Sequence, residues 1–126
     1  MLGKIKHFLW KACSNALPTK ENLLKRRITT EDTCHQCSSH SKSVLHALWD
    51  CASLHQVWDV DFHWIDRNKA SMGTFKNLVE LIFEKPSMFE LLAVTAWFLW
   101  SQRNKLRLNI DALPLNRVVV EARRYL

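Results

Sequence analysis

Residues that break helices and form tight turns are scarce in this chain. Its 126 residues include two Gly and three Pro, which argues against a turn-rich β-sandwich and favours an all-α fold. The longest apolar run, Leu91–Trp100, is about half as long as a membrane-spanning helix, so we expect no membrane partner. The first 16 residues carry three Lys and lack the apolar run of a secretory signal. We therefore expect an intracellular protein, in the nucleus or the cytoplasm.

The sequence also lacks the usual signatures of catalysis. It has no Gly-rich phosphate loop, no paired-carboxylate signature and no nucleophile elbow. We therefore expect no catalytic residues in this chain and no enzymatic activity of its own.

The apolar residues that are present follow helical spacing, and at 48% of the chain they suffice for a globular core. Thr19 is a predicted N-cap, and Ser43 is the predicted cap of a helix with Leu45, Leu48, Trp49 and Ala52 on one side. Ser87 with Glu90 forms a predicted capping box for a helix that ends near Leu108. Trp97 and Trp100 of this helix are expected to serve core or interdomain packing rather than to stack on bases. The other predicted stripes are Ile5, Phe8, Leu9 and Ala12; Leu23, Leu24 and Ile28; Phe75, Leu78, Val79, Ile82 and Phe83; and Leu115, Val118, Val119 and Ala122 after Pro114.

Charge is distributed unevenly along the chain, whose formal net charge is +6. Residues 1–30 hold seven Lys or Arg and one Glu, a net charge of +6. Residues 31–66 hold one Lys and six acidic residues, a net charge of −5. A basic segment favours contact with nucleic acid, whereas a solvated helix face is the commoner use of such residues.

Four residues of the acidic segment, residues 31–66, have the spacing of a zinc site. Cys34, Cys37, His46 and Cys51 form the pattern C-x2-C-x8-H-x4-C. Three thiolates and one imidazole make a closed tetrahedral set of the structural type, so we expect Zn²⁺ as the cofactor. His46 and Cys51 are five residues apart, about 140° round a continuous α-helix. They can share an ion only if the helix breaks or tightens near Asp50, so we expect one short helix before Cys51 and another from Ala52 to about Val60.

Other uses of these residues remain open. His35 or His40 could replace His46 as a ligand, although neither has favourable spacing. Two disulfides would also use all four cysteines of the chain, but an intracellular setting favours a metal. Cys13 is most simply a small buried residue of the first helix.

The Cys and His pattern resembles the zinc-binding domain in the reverse-transcriptase polyproteins of plant non-LTR retrotransposons. A second segment, Trp97 to Asn104, is similar to the W-x-x-W-x-x-R-N linker that leads to a ribonuclease-H-like domain in those polyproteins. The residues that match the first pattern are Trp10, Lys11, Leu17, Pro18, Thr19, Asn22, Leu23, Leu24, Arg27, Cys34, Cys37, Ser43, His46, Cys51 and Trp58.

This resemblance implies a division of the chain into two parts. Residues 1–66 would form a small helical domain with a Cys3His zinc-knuckle-like loop, and residues 67–126 a helical linker and packing region toward a missing ribonuclease-H-like domain. The Asp-rich motifs of the polymerase and of ribonuclease H are absent, so we expect a fragment without either enzyme.

Three functions are compatible with the sequence. The first is a zinc-stabilised module that assists nucleic-acid binding, to RNA or DNA without sequence preference. The second is a structural module that contacts neighbouring reverse-transcriptase or ribonuclease-H-like domains, and the third is an inert retrotransposon relic. In the first case the phosphate contacts would come from Lys4, Lys6, Lys11, Lys20, Lys25, Arg26 and Arg27.

Overall fold

The computed structural model describes residues 3–27, 43–62, 64–65, 73–107 and 114–125. These residues form helices joined by turns and contain no β-strand, which confirms the all-α fold for this part of the chain. The predicted zinc loop, including Cys34, His35, Cys37 and His40, lies outside the described residues.

The first helix, α1 (Gly3–Cys13), buries the predicted stripe. Ile5, Phe8 and Ala12 are buried, and Leu9 packs partly buried against them. The helix ends in a Schellman motif: Asn15 has a φ of 54°, the Ala16 N–H donates to the Lys11 carbonyl at 2.8 Å, and the Asn15 N–H donates to the Ala12 carbonyl at 3.2 Å. Asn tolerates this left-handed conformation, so the helix can stop without a glycine.

The second helix, α2 (Lys20–Lys25), begins as expected but ends early. The side chain of Thr19 accepts a hydrogen bond from the Asn22 N–H at 3.3 Å, as an N-cap does. The prediction that this helix continues to Ile28 was wrong. Arg27 has a φ of 59°, and this left-handed residue ends the helical backbone before Ile28, which itself lies outside the described residues.

The middle segment is a chain of short helical pieces. A π-helical turn, His46–Asp50, is followed by Cys51 and a 3₁₀ turn, Ala52–Leu54. Helix α3 (His55–Phe62) follows directly and extends slightly beyond its predicted end near Val60. Its Asp61 carboxylate pairs with Arg123 of the last helix.

Helix α4 (Phe75–Ile82) is capped by a motif that was not predicted from the sequence. The Thr74 side chain accepts from the Asn77 N–H, and the Asn77 side chain accepts from the Thr74 N–H at 2.8 Å. Four residues of the predicted stripe are buried here, but the fifth, Phe83, lies beyond the helix and is 64% exposed.

The longest helix, α5 (Pro86–Arg107), ends close to the predicted position. The predicted capping box was wrong, because Pro86 begins the helix and Ser87 already lies within it. Proline suits the first helical position since it has no N–H to leave unpaired.

Within the described part of the chain, neither α5 nor any other helix is both long and apolar enough to cross a membrane. Trp100 is buried and Trp97 packs against the core, as predicted.

The last helix, α6 (Leu115–Tyr125), buries Val118 and Ala122 and packs against α5 and α3. Helix α5 is central, because it also contacts α1, α4 and the π-helical turn. One cluster of buried residues runs from Phe8 through Trp58 to Val118. The boundary expected near residue 66 stays a prediction, and the apolar core extends across it.

Candidate metal centre

The π-helical turn determines how two of the predicted zinc ligands are placed. The Cys51 N–H donates to the His46 carbonyl at 3.1 Å, which closes a turn five residues long instead of four. On an α-helix, Cys51 would lie about 140° round the axis from His46. The wider π turn, closed by the i to i+5 hydrogen bond, brings Cys51 closer to the side of the helix on which His46 lies. A break or a tightening was expected near Asp50, and the structure shows a widened turn followed by a break.

The two ends of this turn are held by different contacts. At the start, the Ser43 side chain accepts a hydrogen bond from the His46 N–H at 3.1 Å, which confirms the predicted cap. At the end, Cys51 adopts a ψ of 132°, so the helical path stops there. Ala52, which a continuous helix would have turned toward the core, is exposed as a result.

A buried indole stabilises the break. The Trp58 Nε1–H donates to the Leu48 carbonyl at 3.0 Å, and this bond is buried. Carbonyl groups in the last turn of a helix have no partner within the helix, so the indole satisfies one that the break would leave unpaired. Trp58 also packs on Trp49 and Phe62, with ring centroids 5.1 Å and 5.4 Å away.

Both predicted ligands that the structure describes are buried. His46 is 3% exposed, and its Nδ1 lies 4.0 Å from Oδ2 of Asp50. Cys51 is fully buried, and its Sγ lies 3.1 Å from the Ser53 hydroxyl. A buried imidazole beside a carboxylate and a buried thiol at the other end of the same turn are the donors that a structural zinc site uses. The chemistry of these two residues therefore fits the predicted ion.

The structure does not bring all four predicted ligands together. Cys34 and Cys37 lie outside the residues it describes, and among the residues within it no three His, Cys, Asp or Glu side chains gather around a point. The assignment of the four ligands stays a prediction.

The basic residues lie mainly on the surface. Lys4, Lys6, Lys25, Arg26 and Arg27 are exposed, and Lys11 is partly exposed; the side chain of Lys20 is outside the described part. Lys4 places its Nζ 4.6 Å from the centre of the Trp97 ring, so it also has a packing role. Helix α1 contains no acidic residue that would offset these charges.

Cys13 is half-buried rather than fully buried as expected. It lines a cavity of about 350 Å³ between the end of α1, residues 43–45 and the start of α4. Burial raises the pKa of its thiol, with smaller contributions from Lys76, which lowers the pKa, and from Glu80, which raises it. The thiol is therefore a poor nucleophile near neutral pH.

Comparison with known proteins supports the resemblance found in the sequence. Residues 1–58 match the family described as zinc-binding in reverse transcriptase. This part of the chain is similar to that zinc-binding domain. The matched region ends at Trp58, the residue whose indole stabilises the break after the π turn.

A longer plant protein is similar to part of the chain. The chain is 31% identical over 55 residues to an Arabidopsis thaliana protein named "Putative ribonuclease H protein". The aligned segment covers 44% of this chain and 9% of that relative, so the chain spans a small part of the relative's length. No solved structure matches the chain.

Proposed function

We propose that the chain is a non-catalytic zinc-binding module of a retrotransposon reverse transcriptase that helps hold nucleic acid. The observation that carries the zinc part is the π-helical turn, which places the buried His46 and Cys51 at its two ends. Cys34 and Cys37 would supply the remaining thiolates. The family match over residues 1–58 supports the same cofactor.

The ion would act as a structural cross-link, since four protein ligands leave no open position for a substrate. The chain's own residues orient the ligands. Asp50 faces Nδ1 of His46, which favours Nε2 as the ligating atom, because a metal-binding histidine usually directs its other ring nitrogen to a carboxylate or carbonyl. Ser43 and Trp58 hold the backbone on either side of the turn.

Nucleic acid would be held through its phosphates. The exposed cations of residues 3–27 would contact phosphates, which are the same at every base, so binding should tolerate any sequence and weaken with salt. The zinc segment, with its net charge of −5 over residues 31–66, would repel a polyanion at close range. Contacts are therefore expected on α1 and at the end of α2.

A structural role toward neighbouring domains is the second candidate, and the acidic zinc segment favours it. Trp97 and Trp100 are not available for contacts with a neighbouring domain, because both already pack against the core of this chain. An interdomain surface would have to use other exposed apolar residues, such as Leu81 and Phe83.

Titration of the zinc-loaded protein with single-stranded and duplex oligonucleotides over a range of salt concentrations separates the two candidates. The nucleic-acid function predicts binding at low salt whose logarithm falls linearly with the logarithm of salt concentration. A folded, zinc-loaded protein that binds neither RNA nor DNA at low salt would refute it and favour the structural role.

A further inference from the structure

The outward face of α1 carries a large aromatic residue that the phosphate contacts leave unexplained. Trp10 is 63% exposed, although it belongs to a helix whose opposite face buries Ile5, Phe8 and Ala12. At about 100° per residue, Trp10 lies near the middle of the exposed face, directly opposite that stripe. Its indole therefore presents an apolar surface to solvent instead of filling the core.

A second ring packs beside the indole. His7 lies one turn before Trp10, and the two rings are stacked, with centroids 6.3 Å apart and planes 22° from parallel. His7 is also exposed. The imidazole therefore helps to orient the indole, and with 63% of Trp10 exposed the flat indole ring stays available to stack with another planar group.

The charges around this area select the partner. Lys6 lies one turn before Trp10 on the exposed face, the partly exposed Lys11 lies at the edge of that face, and α1 has no Asp or Glu. The partner should therefore combine flat aromatic groups with closely spaced negative charges. Single-stranded nucleic acid has both, whereas in a duplex the bases are stacked on each other and hidden from a side chain.

We propose that Trp10, with His7 stacked beside it, is a base-stacking platform for single-stranded RNA or DNA, whose backbone runs beside Lys6 and Lys11. The platform deepens the proposed function and rests on it, since phosphate contacts alone would not distinguish single strands from duplexes. Every base has a π-face, so the platform adds affinity without sequence preference.

Fluorescence anisotropy with labelled oligonucleotides tests the platform. The zinc-loaded wild type, Trp10→Ala and Trp10→Phe are titrated with a single-stranded RNA, a single-stranded DNA and a DNA duplex. Trp10→Ala should weaken binding to both single strands by roughly tenfold, as expected when one base no longer stacks on an aromatic ring, and leave duplex binding unchanged. Trp10→Phe should recover most of the affinity. The salt dependence should keep its slope, because the cations that face the phosphates are still present.

Phe83→Ala is the matched control, since Phe83 is 64% exposed but lies at the end of α4, outside the basic segment. It should bind all three probes like the wild type. Unchanged zinc content and circular dichroism in Trp10→Ala would show that the fold is intact, as expected for an exposed side chain.

The outcomes distinguish the platform from the function on which it rests. Single-strand binding that is equally tight in the wild type and in a folded Trp10→Ala would refute the platform alone. An equal weakening on single strands and duplex would also refute it, because stacking cannot act on paired bases. A wild type that binds none of the probes would refute both proposals.

Discussion

The exposed face of α1 and the π-helical turn lie within the same matched region, residues 1–58, yet they have opposite characters. On α1, Lys6, His7 and Trp10 face solvent, and residues 1–30 carry a net charge of +6. In the turn, His46 and Cys51 are buried, and residues 31–66 carry a net charge of −5. The contrast favours a division in which one surface contacts a polyanion and the other stabilises the fold.

The largest effect is expected when the zinc ion is removed. Cys37→Ser, or a chelator, should release Zn²⁺ and raise backbone hydrogen exchange over residues 33–55, because structural zinc supplies on the order of 10–16 kcal/mol in small modules. Peptides from α5 and α6 should stay better protected, since their helical signals are local. Mass-spectrometric hydrogen exchange measures both, and Cys13→Ser is the control that should change neither. Equal protection with and without metal would contradict the structural role of zinc.

Charge reversal tests the basic segment, residues 1–30. Changing Lys25, Arg26 and Arg27 together to Glu should weaken binding to every oligonucleotide and reduce the log–log salt slope by up to about three units, roughly one for each phosphate that is no longer neutralised. Zinc content should not change, because these residues are exposed.

The control for charge reversal is the double variant Lys76→Glu and Lys85→Glu, which alters exposed cations outside the basic segment. It should bind nearly as the wild type does. Weakening in proportion to the number of reversed charges, three in one variant and two in the other, would mean that net charge, and not the basic segment, determines binding.

A smaller effect is expected at Asp50, which positions a ligand without binding the ion. Asp50→Asn should weaken zinc affinity by roughly tenfold, the low end of the effect of such partners, because the carboxylate lies beside Nδ1 of His46 at 4.0 Å, which is longer than a hydrogen bond. Competition with a chromophoric chelator measures the change. Asp59→Asn, which removes the same charge from an exposed position of α3, should have little effect. Equal weakening in both variants would mean that Asp50 acts only through its negative charge and does not position His46.

The smallest effect concerns the backbone at the break. Trp58→Phe keeps an aromatic ring but removes the buried hydrogen bond to the Leu48 carbonyl, and it should lower the free energy of unfolding by about 1–3 kcal/mol. Trp64→Phe is the matched control, because its indole also bonds a carbonyl, that of Asp61, but in an exposed position. Urea denaturation that gives the same destabilisation for both variants would contradict the stabilising role of the buried indole.

Local signals explain which parts of the fold were predictable. The stripes of α1, α4 and α6 and the caps at Thr19 and Ser43 depend on residues within a few positions of each other, and they were confirmed except for Phe83 at the end of the α4 stripe. The capping box at Ser87 was wrong because Pro86 is an equally local and stronger start signal. The cap at Thr74 was missed because Asn77 replaces the Glu or Gln that usually marks it.

The π-helical turn was not predictable in the same way. Periodicity showed that His46 and Cys51 cannot share an ion on an ordinary helix, but not whether the turn would tighten or widen. That choice depends on the indole of Trp58, ten residues after Leu48 in the chain, and on packing against α5. The division near residue 66 stays a prediction, and the sequence pattern does not reveal that one core joins residues on both sides of it.

The metal content and ligand set of the folded, reduced protein provide the decisive test of the zinc assignment. Elemental analysis with X-ray absorption spectroscopy should find one Zn²⁺ per chain, with three sulfur ligands at about 2.3 Å and one nitrogen ligand at about 2.0–2.1 Å, the usual Cys3His distances. His46→Ala should remove the nitrogen ligand, whereas His35→Ala and His40→Ala should keep it. A folded protein without zinc, or a zinc site that survives His46→Ala unchanged, would overturn the assignment.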